Sequence, residues 1–138
     1  MNRALILGCV LILAGCSGDD EKTAEAEEEV ELPAVDCETE TVPKFSEMTV
    51  FTAKCNQCHS TTKTGDDRGP ALGADEPAPA GLNFDDYDAA KTWAHKAAEE
   101  MYEDERGAMP PAESSVPAAT ADEKHMILVW AECGTPDG

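Results

Sequence analysis

Basic residues are scarce in this sequence. The chain of 138 residues contains 10 Lys and Arg against 29 Asp and Glu, which gives a formal net charge of -19 at pH 7. Nucleic acids and anionic membrane surfaces would repel such a chain, so the composition argues against both as partners. A protein with a basic docking surface is the partner that this charge favours.

Long apolar runs are also lacking, except for one short run at the N-terminus. It covers residues 4–13 after a basic start, has the length of a secretory signal and is too short to span a bilayer comfortably. Residues 13–16 read Leu-Ala-Gly-Cys and resemble the bacterial lipobox. This resemblance implies a lipoprotein signal peptide over residues 1–15 and a lipid on Cys16. An ordinary signal peptide, with Cys16 left as a plain thiol, is the alternative.

The next segment, residues 16–36, is acidic. Between Asp19 and Glu31 it has eight acidic side chains and one Lys, and it has no periodic apolar face. This composition predicts a disordered linker that carries a folded domain over residues 37–138. By resemblance to lipoproteins of Gram-negative bacteria, Ser17 favours the outer membrane. We therefore expect a lipid-anchored domain on the periplasmic side of a bacterial membrane.

Residues 55–59 read Cys-Asn-Gln-Cys-His, the spacing C-x-x-C-H. Two thiols separated by two residues can form thioether bonds with the two vinyl groups of a haem. The adjacent His59 is then placed to bind the iron as the proximal ligand. The motif predicts one covalently attached haem c on Cys55 and Cys58.

Other uses of the two cysteines lack supporting signals in the sequence. A thioredoxin-like dithiol would lie in a βαβ pattern, and none surrounds the motif. A zinc site would need a second pair of ligands, which the sequence does not offer in any clear place. A disulfide between Cys55 and Cys58 is sterically awkward.

Together with this motif, several segments resemble the small c-type cytochrome domains, in the bacterial variety with a Met-Pro-Pro loop. The resemblance extends over residues 42–136 and is carried by residues 50–60, 82–87, 107–111 and 128–136. It implies an all-α, cytochrome c-like domain of about three to four helices around one haem. It further implies a monomeric one-electron carrier and not an enzyme.

The family position of the second axial ligand corresponds to Met109, directly before Pro110 and Pro111. The two prolines would stiffen the loop by fixing φ. His95 and His125 are the rival ligands, and either would give a bis-His haem. The other candidate methionines are interpreted as packing residues: Met48, Met101 and Met126.

Two further residue roles follow from the resemblance alone. Pro70, in a Gly-Pro-Ala-Leu segment, is expected to accept the Nδ1 proton of His59 through its carbonyl. An ordinary turn is the alternative for that segment. Cys37 and Cys133 would meet in a disulfide if the first and last helices cross as in the family. Free thiols or an intermolecular bridge are the alternatives.

Helical periodicity places three helices in the domain. The first covers residues 44–54, and the second covers residues 86–105 with a break expected near Thr92. The last opens with a capping box at Thr120 and contains Trp130, which we expect in the core against the first helix.

A second class of function stays open. If Met109 does not bind iron, a five-coordinate haem c could serve a sensor or a peroxidase-like enzyme, although no dedicated distal acid or base is evident beyond His95 and His125. A third interpretation makes the domain an accessory haem subunit of a larger oxidoreductase, which is compatible with electron transfer.

Overall fold

The computed structural model describes residues 30–103 and 108–138. The predicted signal peptide, Cys16, most of the linker and Gly107 lie outside these ranges. The described residues contain no strand and form three α-helices: α1 (Thr49–Ala53), α2 (Tyr87–Tyr102) and α3 (Ala121–Glu132). This agrees with the predicted all-α class. No helix in the described part of the chain has the length and apolar character needed to cross a membrane.

The first helix is shorter than predicted. A 3-10 turn over Phe45–Glu47 precedes α1, and the two are separated by Met48, whose backbone leaves the helical region at φ -72° and ψ 70°. Glu47 caps the 3-10 turn because its Oε2 accepts the Lys44 amide at 2.9 Å. The interruption lets Met48 enter the core, where it is 3% exposed. A continuous helix over residues 44–54 was therefore a wrong prediction.

Helix α2 is continuous, so the break expected near Thr92 is absent. The Thr92 hydroxyl donates to the Asp88 carbonyl at 2.8 Å, a bond within the helix that keeps its ladder intact. Asp86 caps the start, since its Oδ1 accepts the Ala89 amide at 2.9 Å. The helix buries one narrow face of small residues and Met at Ala90, Ala94, Ala98 and Met101.

Helix α3 begins as predicted. The Thr120 hydroxyl accepts the Glu123 amide and the Glu123 carboxylate accepts the Thr120 amide, a complete capping box. Four consecutive residues, Ile127–Trp130, are buried, so α3 contacts neighbours on more than one side. It packs against both α1 and α2.

Aromatic residues join the first and last helices. The Phe51 and Trp130 rings meet edge to face with centroids 5.3 Å apart, and Trp130 is fully buried, which confirms it as a core residue. The C-terminal segment closes over this cluster, because the Thr135 carbonyl accepts the Tyr87 hydroxyl and the Pro136 carbonyl accepts the Phe45 amide.

The sulfurs of Cys37 and Cys133 lie at disulfide-bond distance, with their Cα atoms 5.4 Å apart. This is the pairing that the family resemblance implied. Leu32 and Val35, which the sequence placed in the linker, pack against the hydrophobic core. The folded domain was predicted to begin at Cys37, whereas the packed region begins before that residue.

Candidate functional site

The Cys-x-x-Cys-His segment forms a tight turn directly after α1. Cys55–Gln57 is a 3-10 turn, and the Cys55 carbonyl accepts the amides of Cys58 at 3.1 Å and His59 at 2.8 Å. These bonds bring both cysteines and the imidazole into one compact unit. Both thiols are free, and Cys58 and His59 are 8% and 9% exposed.

The segment that precedes α2 holds this turn in place. The Phe84 amide donates to the His59 carbonyl at 2.8 Å, and the rings of the two residues meet edge to face. Asp85 accepts the Ser60 hydroxyl at 2.7 Å and the Thr61 amide at 2.8 Å. Desolvation acts to raise the pKa of Asp85, but these hydrogen bonds outweigh it and hold the pKa below its ordinary value. The Asp85 carboxylate is therefore ionised, and its hydrogen bonds fix the residues that follow His59.

The turn opens onto a cavity of about 450 Å³. Cys55, Cys58 and His59 line it together with the whole predicted Met-Pro-Pro loop, which consists of Met109, Pro110 and Pro111. The structure thus brings four of the predicted site residues, Cys55, Cys58, His59 and Met109, to a single space, although His59 and Met109 are 50 positions apart in the chain. A cavity of this size belongs to the range that receives small-molecule cofactors.

A second face of α2 supplies much of the remaining apolar lining. Trp93, Ala97 and Met101 follow one another at intervals of four residues and line the cavity, whereas the face buried against the core contains Ala90 and Ala98. Trp93 and Met109 are 40% and 37% exposed, the large apolar side chains most open to solvent among the described residues. Both belong to the cavity, so a ligand there would cover them.

Burial sets the protonation states at the cavity. It lowers the pKa of His59 to about 4, with a smaller effect of the Arg68 cation in the same direction and an opposing effect of the Leu82 backbone. The imidazole is therefore neutral at pH 7, the form that binds a metal. Burial also raises the pKa of Cys55 to about 12 and raises that of Cys58. These thiols lack the stabilised thiolate of a redox-active dithiol.

The rival histidine ligands lie elsewhere. The His95 side chain is 63% exposed and lies between Glu99 and Glu132, with nitrogen-to-oxygen distances of 3.3 and 3.2 Å. His125 is half exposed and lies 3.1 Å from a Glu40 oxygen. Neither residue lines the cavity, and both lie at the surface beside carboxylate side chains.

The hydrogen bond expected of Pro70 is not formed. The Pro70 carbonyl accepts the Gly73 amide at 3.0 Å within a 3-10 turn, Pro70–Leu72, and the residue does not line the cavity. The His59 Nδ1 atom is buried and has no hydrogen-bond partner. The segment is thus the turn that was the alternative interpretation.

Arg68 and the cavity face of α2 were not identified from the sequence. Arg68 is 7% exposed and lines the cavity, although a single Arg in a Gly-rich loop carries no signal of burial. The spacing of Trp93, Ala97 and Met101 could have revealed a second apolar face on α2, but the alanines on both sides obscure it.

A second depression of about 510 Å³ is lined by residues of α1 and of the 3-10 turn before it. Phe45, Met48 and Thr52 line it, together with Asn56, whose side-chain oxygen is buried without a partner. It contains none of the predicted ligands, so the cavity with the two free thiols is the candidate site.

Comparison of the chain with protein-family models, with curated proteins and with solved structures finds no match in any of the three.

Proposed function

We propose that this protein is a one-electron carrier with a single haem c bound covalently in the 450 Å³ cavity. Cys55 and Cys58 would carry the thioether bonds, and His59 would be the proximal iron ligand. One observation carries the proposal: two free thiols, a neutral imidazole and the thioether of Met109 line the same cavity.

The lining fits a large apolar ring held at its edge. Phe84, Trp93 and Val116 contribute apolar surface, and Pro77 and Pro79 close part of the wall from the loop before α2. One of these features is otherwise unexplained, since Trp93 is a large apolar side chain that is 40% exposed. A flat ring attached through Cys55 and Cys58 would cover it.

Met109 is the proposed second axial ligand. A thioether ligand raises the reduction potential relative to bis-His ligation, and His95 and His125 both contact surface carboxylates away from the cavity. The haem would supply the one-electron chemistry. The chain would hold His59 in its neutral form, exclude water with its apolar walls and keep both axial positions filled. An iron with both positions filled has no place for a substrate, which favours a carrier over an enzyme.

The net charge and the N-terminal sequence bear on the partners and the location of the proposed carrier. The net charge of -19 would attract partners with basic docking surfaces, so transfer rates should fall as salt rises. We propose a monomer tethered through lipidated Cys16 to the periplasmic side of a bacterial membrane, with the outer membrane favoured by Ser17.

Absorption spectra of the purified, haem-loaded protein test this function. We expect a low-spin spectrum in both oxidation states and no spectral change when carbon monoxide is added to the reduced protein, because Met109 fills the sixth position. Rapid binding of carbon monoxide would contradict the carrier and would support the five-coordinate sensor or peroxidase-like enzyme.

A further inference from the structure

Arg68 is a buried cation in the wall of the cavity. Within residues 30–103 and 108–138, no carboxylate lies at ion-pair distance from its guanidinium. Burial of an unpaired charge is costly unless hydrogen bonds replace the lost water. The hydrogen bonds of Arg68 therefore indicate what the residue does.

All the oxygens that accept hydrogen bonds from the Arg68 guanidinium belong to the loop between the Cys-x-x-Cys-His turn and α2. Nε donates to the Ala78 carbonyl at 2.8 Å. Nη1 and Nη2 donate to the other oxygens, which are the carbonyls of Ser60 at 2.9 Å, Lys63 at 3.4 Å, Pro79 at 2.7 Å and Leu82 at 3.0 Å, and Oδ1 of Asn83 at 3.1 Å. One planar side chain thus fixes three separate stretches of this loop.

The nearby His59 ring has an open hydrogen-bonding position. Its Nδ1 atom is buried without a partner, whereas the His59 carbonyl is already held by the Phe84 amide, two residues after Leu82. Leu82 lines the same cavity as His59, and its carbonyl accepts a hydrogen bond from Arg68 Nη2 at 3.0 Å. A carbonyl oxygen has two lone pairs, so Leu82 can accept from Arg68 and from His59 together.

We infer that the Leu82 carbonyl accepts the Nδ1 proton of His59 in the haem-loaded protein, and that Arg68 is the positioning residue that holds this carbonyl. The inference rests on the proposed function. A ring fixed through Nδ1 presents Nε2 to the iron in one tautomer and one orientation. Arg68 acts through Leu82 and does not itself contact the iron ligand.

Nuclear magnetic resonance of the reduced, haem-loaded protein with labelled histidine locates the acceptor directly. We expect nuclear Overhauser effects from the His59 Nδ1 proton to protons of Leu82 and Asn83. Contacts to Pro70 and Ala71 in their place would overturn the inference and leave the proposed function intact. A preparation without covalent haem would overturn both, and its spectrum distinguishes that outcome.

Variants of Arg68 test the positioning role. In Arg68→Lys and Arg68→Met we expect solvent exchange of the His59 Nδ1 proton to become faster by about tenfold, the effect of one weakened hydrogen bond. Lysine retains the charge but lacks the planar fork, so it should not rescue slow exchange. Lys91→Met removes a cation from the exposed face of α2 and serves as the matched control.

Unchanged exchange in both Arg68 variants, or equally fast exchange in Lys91→Met, would overturn the role of Arg68. The midpoint potential provides a further test. If it shifts in Arg68→Met but not in Arg68→Lys, and solvent exchange of the His59 Nδ1 proton is unchanged in both, then the effect of Arg68 is purely electrostatic. That result would also overturn the positioning role. If the Arg68 variants fail to mature, the contacts of the His59 proton in the natural protein still decide the acceptor.

Discussion

Met109 and Met101 both line the cavity, but they differ in how far they are exposed to solvent. Met109 lies in the loop before Pro110, lines the cavity and is 37% exposed. Met101 also lines the cavity but is 3% exposed and belongs to the hydrophobic core of α2. A ligand must have a sulfur free to approach the iron, which favours Met109.

Met109→Ala should therefore leave the haem covalently attached and abolish the thioether-to-iron charge-transfer band of the oxidised protein. The reduction potential should fall, because the thioether that raises it no longer binds the iron. Absorption spectroscopy and redox titration measure both effects. Met101→Leu conserves the packing volume and serves as the control, with the band expected to remain. Loss of the band in Met101→Leu alone would show that Met101 is the ligand.

The sequence motif predicted that Cys55, Cys58 and His59 would share one site, whereas the residues that hold them in place were not predicted. Cys55, Cys58 and His59 lie within five consecutive residues, so their proximity follows from the sequence. The positions of Leu82 and Arg68 depend on how the loop before α2 folds back, a long-range arrangement that no local pattern encodes. The hydrogen bond predicted for Pro70 is not present in the structure, where His59 Nδ1 has no partner and Pro70 does not line the cavity.

Elements whose ends are defined by local chemistry were predicted well. The capping box at Thr120 depends on residues three positions apart, so the start of α3 could be read from the sequence. The interruption at Met48 depends on burial of that side chain by distant residues, and the sequence indicated a continuous helix. Tertiary packing thus overrode local periodicity in the first helix.

The disulfide joins the segment before the first helix to the end of α3. Cys37 and Cys133 are 96 positions apart, and closure of a loop of that length stabilises the folded state by up to about 4.7 kcal/mol in the chain-entropy model. A small domain has a limited core, so a covalent link between its ends contributes a large share of its stability.

Cys37→Ser should lower the free energy of unfolding of the haem-loaded protein by about 2–4 kcal/mol. Denaturant titration measures the change, and mass spectrometry without reduction should show the two cysteine peptides joined in the natural protein. The double variant with Cys133→Ser should lose no more stability than either single variant. Alkylation of both thiols in the unreduced natural protein would contradict the bridge.

The net charge of the whole molecule bears on how the protein would attach to a membrane. The acidic residues are spread over both the linker and the domain, where residues 37–138 carry 20 acidic against 8 basic side chains. Such a surface repels anionic lipid headgroups, so the domain itself should not adhere to a membrane. A lipid on Cys16 would then be the sole membrane attachment that we propose.

Cys16→Ala should accordingly release the protein from the washed membrane fraction of a bacterial host that processes lipoproteins. Two or more acyl chains are needed for stable anchoring, at about 0.8 kcal/mol for each buried methylene, and the variant would carry none. Fractionation followed by haem staining measures the distribution. Ser17→Ala keeps the lipidated cysteine and should stay with the membrane. Retention of Cys16→Ala in the washed membranes would contradict lipidation.

The proposed function depends on covalent bonds between the two cavity thiols and one haem. Protein produced with a working attachment machinery should keep its colour through acid-acetone extraction, and its intact mass should exceed that of the polypeptide by one haem. The double variant Cys55→Ser and Cys58→Ser should lose its colour in the same extraction. Complete transfer of the colour of the natural protein to the acetone phase, with the mass of the bare chain, would contradict the account.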